Sequence, residues 1–434
     1  MTVSIVNRTR RRSEFVLGLL VVIITGGGYV LVALADGPEL PADLWVFLGS
    51  VFGLYLVAHL AVRRLAPAAD ATLLPLAAAL NGIGFITILR LDKELARIQS
   101  GWVAAAVGAF VVTLLVVRDT RLLEKYRYSF ALLGVMFLLL PLLPGIGETI
   151  NGARLWASIG PLNFQPGEVA KVLLVVFFAA YLADNRELLA AGSVRIGRYF
   201  VPALRHLGPL VLAWGFSILV MVYEKDLGSS MLFFGVFAAM LYMATSRAYY
   251  LLVGLVLFAI GALIAYQLFG HVQVRVDTWI DPWKDAGGDG YQIIQSWFAF
   301  GTGGFAGTGI GLGNPDKIPN AATDFVFSAI GEELGLIGTV SVVIGFMLFV
   351  GSAFRIAVDA VRPFAKLFAS GLATIIGLQT VIILGGVTRA IPLTGITLPF
   401  ISYGGSSLVA NFAVLALLLR VSDENAKARA AARP

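Results

Sequence analysis

Stretches of about 20 mostly apolar residues, each long enough to cross a membrane as a helix, recur along most of this chain. They predict spans near residues 15–35, 44–62, 70–90, 101–117, 127–144, 166–183, 207–223, 228–246, 248–269, 326–351, 366–388 and 401–420. The first stretch is too long for a signal peptide and no small-x-small site follows it, so it is expected to stay as a helix. The pattern predicts an all-α polytopic membrane protein with about twelve transmembrane helices.

The distribution of Lys and Arg predicts the orientation of these spans, because basic residues favour the cytoplasmic side. With twelve spans and a cytoplasmic N-terminus, 22 of the 32 basic residues fall on that side. Both termini are therefore expected in the cytoplasm, and the long segments 145–165 and 270–325 outside it. The basic residues behind the net charge of +6 then mainly mark the cytoplasmic segments. They are too spread out along the chain to form a lipid-binding patch.

The composition excludes several classes of protein. Apolar residue types make up 58% of the chain and charged types 13%, against roughly half and a quarter in soluble domains. This excludes a soluble enzyme, a disordered chain and a nucleic-acid-binding domain. The chain has no cysteine, which excludes disulfides and thiolate metal sites, and its three histidines are scattered.

Charged residues inside or beside apolar spans indicate function by default. Glu168 and Lys171 are three residues apart and share one helix face, where they form either a salt bridge that locks helices or a pair lining an outward cavity. Arg154 either snorkels to the interface or binds substrate. Glu332 and Glu333 begin a span, so one of them is expected to face a cavity or pair with a cation.

Two glycine-containing segments are unusual. The run GTGGFAGTGIGLG (301–313) lies in the long loop 270–325, and such a run serves either as a phosphate cradle or as plain turns. The stretch TRAIPLTGITLPFISYGGSS (388–407) leads into the last span with prolines, glycines and hydroxyls. Irregular backbone at membrane depth must be buried in protein or line a cavity, so this stretch predicts a re-entrant or irregular segment.

Four stretches, in order along the chain, resemble signatures of the RodA/FtsW/SpoVE family, also called SEDS proteins. They are NGARLW with QPGEVAK eight residues later, EKDLGSS, DPWKDAGGDGYQIIQS with the following TDFVFSAIGEELGLIG, and PLTGITLPFISYGGSS. The TRAIPLTG form resembles actinobacterial RodA more than FtsW. The predicted domains are an N-terminal tail with two additional helices (1–69), a SEDS membrane domain of ten helices (70–423) and a cytoplasmic tail (424–434).

The resemblance implies a peptidoglycan glycosyltransferase that polymerises lipid II at the outer face of the cytoplasmic membrane during elongation, together with a class B penicillin-binding protein. Asp285 matches the essential loop aspartate of the family, and Glu168 and Lys171 match its cavity pair. The same motifs nominate substrate-binding residues: Arg154, Tyr291, Gln292, Ser296, Asp324, Glu332, Ser402 and Tyr403. A divalent cation, Mg²⁺ or Mn²⁺, is a candidate cofactor, and no nucleic acid is expected.

The chain departs from the family pattern at two places that bear on the site. Ala286 replaces the proline that commonly follows the loop aspartate, which leaves Asp281 open as an alternative to Asp285. Glu224 and Lys225 replace Gln-Pro, so no family role is carried over to them. A lipid II flippase, a division-specific FtsW-type member and a scaffold for a penicillin-binding protein remain as alternative functions.

Overall fold

The computed structural model describes residues 2–37, 40, 42–150, 153–160, 162–191, 194–196, 199–201 and 204–432. Most of this length is helical. The α-helices are α1 (Thr2–Asp36), α2 (Leu44–Leu65), α3 (Leu73–Leu91), α4 (Lys93–Val116), α5 (Arg121–Lys125), α6 (Arg127–Leu139), α7 (Pro166–Ala191), α8 (Leu204–Tyr223), α9 (Leu227–Thr245), α10 (Tyr249–Leu268), α11 (Gly270–Ile280), α12 (Tyr291–Gly303), α13 (Val326–Val358), α14 (Pro363–Val387) and α15 (Gly405–Ala431). The prediction of an all-α polytopic membrane protein is confirmed.

Ten helices among the described residues are long and apolar enough to cross a membrane. The predicted spans 127–144 and 207–223 correspond to shorter apolar helices, Arg127–Leu142 and Leu207–Tyr223. The number of spans and their orientation therefore stay predictions.

Short strands occupy two of the connections. β1 (Gly147–Ile150), β2 (Ala153–Ile159) and β3 (Leu162–Phe164) form an antiparallel sheet within the segment 145–165. β4 (Val194–Ile196) and β5 (Tyr199–Val201) form a hairpin. The sequence did not predict these strands.

The chain forms two compact units. The first comprises residues 1–118, 274–352 and 379–434, and the second comprises 119–273 and 353–378. In the first unit α15 packs along α4, with Phe412 edge-on to Phe110. In the second unit α7 packs between α6 and α9, and Phe178 of α7 meets Phe237 of α9 edge-on.

The segment from Thr388 to Gly404 is irregular, as the sequence predicts, and several of its carbonyl groups are bonded to side chains. Asn81 donates to Phe400 O at 3.0 Å, Gln379 to Thr397 O at 2.7 Å, and Arg275 to Thr394 O at 2.7 Å. These donors supply the partners that a helix would otherwise provide at membrane depth.

Candidate active site

The loop that carries the aspartates is a short turn built by its own side chains and glycines. Asp281 caps a 3-10 helix (Pro282–Asp285) by accepting from Trp283 N at 3.1 Å. A Cβ atom at Gly290 would lie 1.9 Å from Pro282 O, so only glycine permits this close return of the chain. The loop is therefore held in one shape, with Asp285 at its tip.

Asp285 is exposed, and its carboxylate accepts one hydrogen bond, from Asp289 N at 3.1 Å to Oδ2. One backbone donor leaves most of the lone-pair sites of a carboxylate open to another ligand. The next turn begins α12, where Tyr291 N donates to Gly288 O at 3.1 Å, which places Tyr291 and Gln292 beside the aspartate loop. Asp285 has the access and the chemistry of a proton acceptor.

Arg389 fixes the chain just ahead of the aspartate loop. Its guanidinium lies over the Trp297 ring, 4.8 Å from the centroid, and donates to Trp279 O at 2.6 Å and to Ile280 O. Trp279 in return donates its indole N–H to Arg389 O at 3.1 Å. The sequence analysis missed this anchor, because Trp279 and Arg389 are 110 positions apart.

The glycine run is tied to the start of α13 by two glutamates. Glu332 Oε1 accepts from Asn314 N at 2.7 Å, and Glu333 Oε1 accepts from Gly311 N at 3.1 Å. The amides of Thr308 and Gly309 donate to the main-chain carbonyls of the same two glutamates, each at 3.0 Å. Because the amides of Thr308, Gly309 and Gly311 already have partners, the geometry favours a packed turn over a phosphate cradle.

Glu333 also confirms the expectation that one of the two glutamates pairs with a cation. Arg90 Nε lies 2.9 Å from Glu333 Oε1, and the Arg90 guanidinium donates to Gly313 O at 3.1 Å. Glu332, nominated as a substrate-binding residue, is 6% exposed and contributes its carboxylate to holding this turn.

Three further nominated residues meet around the end of the long loop. Ser402 Oγ donates to Thr323 O at 2.5 Å, and Tyr403 N donates to Ala322 O at 2.8 Å, which brings both beside Asp324. Burial raises the pKa of Asp324 to about 6, although the Arg275 guanidinium acts in the opposite direction. Asp324 is half-buried and accessible in part, whereas Ser402 is buried.

Ser296 lies inside α12 and is fully buried. Its hydroxyl is within 2.7 Å of Ser328 Oγ and donates to Val387 O at 3.2 Å, which joins α12 to α13 and α14. This geometry gives Ser296 a packing contact and offers no support for the expectation that it touches substrate.

The second compact unit holds the predicted ion pair and Arg154. Lys171 Nζ lies 2.6 Å from Glu168 Oε2 on α7, and both side chains are buried, so the predicted pairing on one helix face is confirmed. Arg154 lies on β2, where its backbone N–H donates to Glu224 O at 3.3 Å and its guanidinium donates to Leu143 O at 3.4 Å. Arg154 Nε is buried and has no hydrogen-bond partner among the described residues.

Glu224 is a buried carboxyl that the sequence analysis set aside. It is 4% exposed, and its Oε1 has no hydrogen-bond partner in the part of the chain that the structure describes. Burial, reinforced by the charge of Asp226, raises the pKa of Glu224 to about 8. The clue in the sequence was the acidic residue itself, where the family pattern has an amide.

Among the described residues, no group of three or more His, Asp or Glu side chains could hold a metal ion. Mg²⁺ is commonly bound through one or two carboxylates together with substrate phosphates, without a full protein cage. The exposed carboxylates of Asp285 and Asp289, on one turn, are hard oxygen ligands of that kind.

The fold and these motifs define a polytopic helical membrane protein with a structured loop carrying a candidate catalytic aspartate. A family model for FtsW, RodA and SpoVE, described as "Cell cycle protein", matches residues 71–427. The chain belongs to this family, as a glycosyltransferase of the RodA type.

Relatives and solved structures agree on this assignment. Peptidoglycan glycosyltransferase RodA of Mycobacterium tuberculosis is 42% identical over 95% of this chain and 91% of the relative, and that of Mycobacterium leprae is 41% identical over 95% and 90%. The crystal structure of Thermus thermophilus rod shape determining protein RodA matches with a TM-score of 0.61, 29% identity, and coverage of 82% of this chain and 98% of that one. A chain from a peptidoglycan synthase complex that coordinates polymerisation and crosslinking matches with a TM-score of 0.68, 30% identity and the same coverage.

Proposed function

We propose that this chain polymerises lipid II into β-1,4-linked glycan strands at the outer face of the cytoplasmic membrane, with Asp285 as the general base. The supporting observation is the position of Asp285 on a fixed, exposed turn with a mostly unoccupied carboxylate. The RodA relatives at 42% identity favour this activity over a flippase or a division-specific FtsW-type function.

In the proposed reaction, the 4-hydroxyl of the acceptor sugar loses its proton to Asp285 as its oxygen attacks the anomeric carbon of the donor. The new C–O bond forms as the bond to the lipid diphosphate breaks, and polyprenyl diphosphate leaves with the bonding electrons. A single displacement inverts the anomeric centre, which fits an α-linked donor and a β-linked product. One carboxylate suffices, because a diphosphate leaving group needs no second acid, unlike the leaving group of a glycosidase.

Positive groups are needed where the negative charge of the leaving diphosphate develops. Arg154 and Lys171 are the cationic side chains that the family motifs offer for this role, and Glu168 orients Lys171 through their 2.6 Å contact. Mg²⁺ or Mn²⁺ bound to the diphosphate, with an aspartate of the exposed turn as a ligand, would supply further positive charge.

A class B penicillin-binding protein is the proposed partner. The likeness to a chain from a peptidoglycan synthase complex supports a shared assembly of polymerisation and crosslinking. The activity should therefore be measured both with and without such a transpeptidase.

The two aspartates can be separated by a matched pair of substitutions. Asparagine serves as an N-cap about as well as aspartate, so Asp281→Asn keeps the turn and is expected to retain polymerisation. Asp285→Asn removes the base and is expected to lower the rate about 10²- to 10⁴-fold. The measurement is the ladder of glycan products from labelled lipid II with Mg²⁺, by purified protein and partner.

Loss of the ladder only with Asp281→Asn would move the base to Asp281. A ladder with both variants would refute the assignment of a general base to this turn. Absence of a ladder with the unsubstituted chain, together with movement of lipid II across liposomes, would favour the flippase.

A further inference from the structure

A large cleft lies outside the residues assigned to the reaction. It has a volume of about 870 Å³ and is lined by side chains of α1, α2, α3 and α4 in the first compact unit. Its volume is typical of sites that enclose a ligand of substantial size. Because the family match begins at residue 71, α1 and α2 supply half of the wall from outside that match.

The lining of the cleft is apolar along its walls and charged at one end. Apolar side chains such as Val22, Leu54 and Val107 form its walls, whereas Asp43, Lys93 and Arg97 lie at one end. These three come from the start of α2 and the first two turns of α4. An apolar channel with charges at one mouth fits an amphipathic ligand with a polar head and a long hydrocarbon chain.

The cleft is long enough for a hydrocarbon chain of a lipid. Its lining follows α2 from Asp43 to Ala58, which at 1.5 Å per residue is about 20 Å. One leaflet of a bilayer contributes about 15 Å of hydrocarbon. The cleft therefore accepts an extended hydrocarbon chain over its whole length.

The charges at the mouth fit an anionic head. Lys93 and Arg97 are one helical turn apart on α4, and the lining side chains that the structure describes include one anion, Asp43, which accepts from Tyr29 Oη at 2.6 Å. Arg97 is paired with Glu94 through two hydrogen bonds, of 2.9 Å and 2.6 Å, and the two side chains are 73% and 64% exposed. A phosphate offers Arg97 charge-assisted hydrogen bonds of the same bidentate kind and competes with Glu94 for it.

We infer that the cleft between α1, α2, α3 and α4 binds a polyprenyl phosphate or diphosphate, with its chain along the apolar walls and its head at Lys93 and Arg97. The choice of a polyprenyl lipid rests on the proposed function, whose donor and leaving group carry such a chain. The two helices that precede the family match thereby form a holding site for substrate or product.

The test uses the full chain in detergent, with a photoreactive polyprenyl phosphate and no acceptor, so that no polymerisation is needed. Labelled peptides are mapped by mass spectrometry and are expected in α1, α2 and α4. Val103 lines the cleft, whereas its neighbour Ala104 is exposed and does not. Val103→Phe is expected to lower the labelling of α1 and α2 about tenfold, and Ala104→Phe to leave it unchanged.

Ala78→Phe fills the cleft from α3 and is a second variant in case Val103→Phe does not fold, as judged by gel filtration. Lys93→Gln with Arg97→Gln is expected to weaken labelling by the phosphate but not by a photoreactive polyprenol, which lacks the charge.

Two results would overturn the inference: equal labelling of the Val103→Phe and Ala104→Phe variants, or displacement of the probe by phosphatidylglycerol as effectively as by unlabelled polyprenyl phosphate. Failure of the proposed function is distinguishable, because the chain would then lack a glycan ladder while its labelling still responded to Val103→Phe.

Discussion

Arg389 shows how one side chain positions the residues next to the candidate base. The last carbonyls of a helix lack partners within it, and Arg389 donates to the final two of α11, Trp279 O and Ile280 O. Arg389 does this from a left-handed backbone conformation, φ +60°, which is strained for a side-chain-bearing residue. The cap and the stacking on Trp297 hold the chain that enters the loop of Asp281 and Asp285.

Arg389 can be tested as a positioning residue by two substitutions. Arg389→Ala removes the cap but keeps the strained backbone, whereas Arg389→Gly removes both the cap and the strain. We expect both to lower kcat about 10- to 100-fold, because small misplacements of a catalytic group are costly, and the glycine variant to have the higher Tm. Initial rates of polymerisation and thermal melts check this. Unsubstituted activity in Arg389→Gly would show that the cap does not position the loop.

Glu224 gives the stability of the protein a pH dependence with a definite sign. Its pKa in the folded chain is about 8, raised by burial and by Asp226 above the ordinary value of 4.5. The folded state thus binds more protons than the unfolded state between these values, so stability falls as pH rises through this window. The backbone N–H of Arg154 donates to Glu224 O, and Lys225 follows Glu224 in the chain.

We expect Glu224→Gln, which keeps the shape of the neutral acid, to reduce this loss of stability. Between pH 6 and pH 8.5 the Tm of the unsubstituted chain should fall by at least about 2 °C more than that of Glu224→Gln. Thermal melts of both proteins in the same detergent measure the difference. Parallel pH profiles for the two proteins would contradict a buried, protonated Glu224.

At the scale of elements, α13 is interrupted at the point where the glycine run packs against it. Gly335 has φ +64° and ψ −159°, so the helix is interrupted there. Leu336 N donates to Gly304 O at 3.0 Å and Ile337 N to Phe305 O at 3.3 Å, in place of helical partners. A Cβ atom at Gly335 would lie 2.3 Å from Gly307 N, so the packed turn and the helix break depend on each other.

Gly335→Ala is therefore expected to destabilise the protein by about 1–3 kcal/mol through backbone strain and the clash with Gly307. Gly351→Ala, farther along α13, is the matched control, because nothing lies within 4 Å of its added methyl group. Denaturation of both variants in detergent measures the difference in the free energy of unfolding. Equal stability would mean that the turn moves aside for the methyl group.

The sequence predicted elements whose signal is local. Apolar length located the apolar helices, and spacing alone predicted that Glu168 and Lys171 share a helix face. One of Glu332 and Glu333 was expected to face a cavity or pair with a cation, but neither Glu333 nor its partner Arg90 was singled out, because the two are 243 positions apart. The role of the glycine run stayed open for the same reason, since whether its amides are satisfied depends on glutamates folded against it. The sheet at 147–164 was missed because it lies between predicted spans and forms by pairing of β1, β2 and β3, which no apolar length indicates.

At the scale of the whole molecule, the number of crossings decides which loops share a side of the membrane. Ten helices are long enough to span, and Arg127–Leu142 and Leu207–Tyr223 are shorter. If both short helices cross, the sheet of β1 to β3 lies on the same side as the long loop 270–325. If neither crosses, the sheet lies on the opposite side, and Arg154 is separated from Asp285 by the membrane.

Single cysteines decide between these arrangements, because the chain has none of its own and needs no background substitutions. Thr149, Lys317 and Val361 are exposed and lie in the sheet, the long loop and the connection between α13 and α14. With twelve crossings and cytoplasmic termini, a membrane-impermeant maleimide should label Thr149→Cys and Lys317→Cys on intact cells, and Val361→Cys only after permeabilisation. Labelling of Lys317→Cys but not of Thr149→Cys would show that the two short helices do not cross, and would separate the diphosphate-binding role proposed for Arg154 from the base at Asp285.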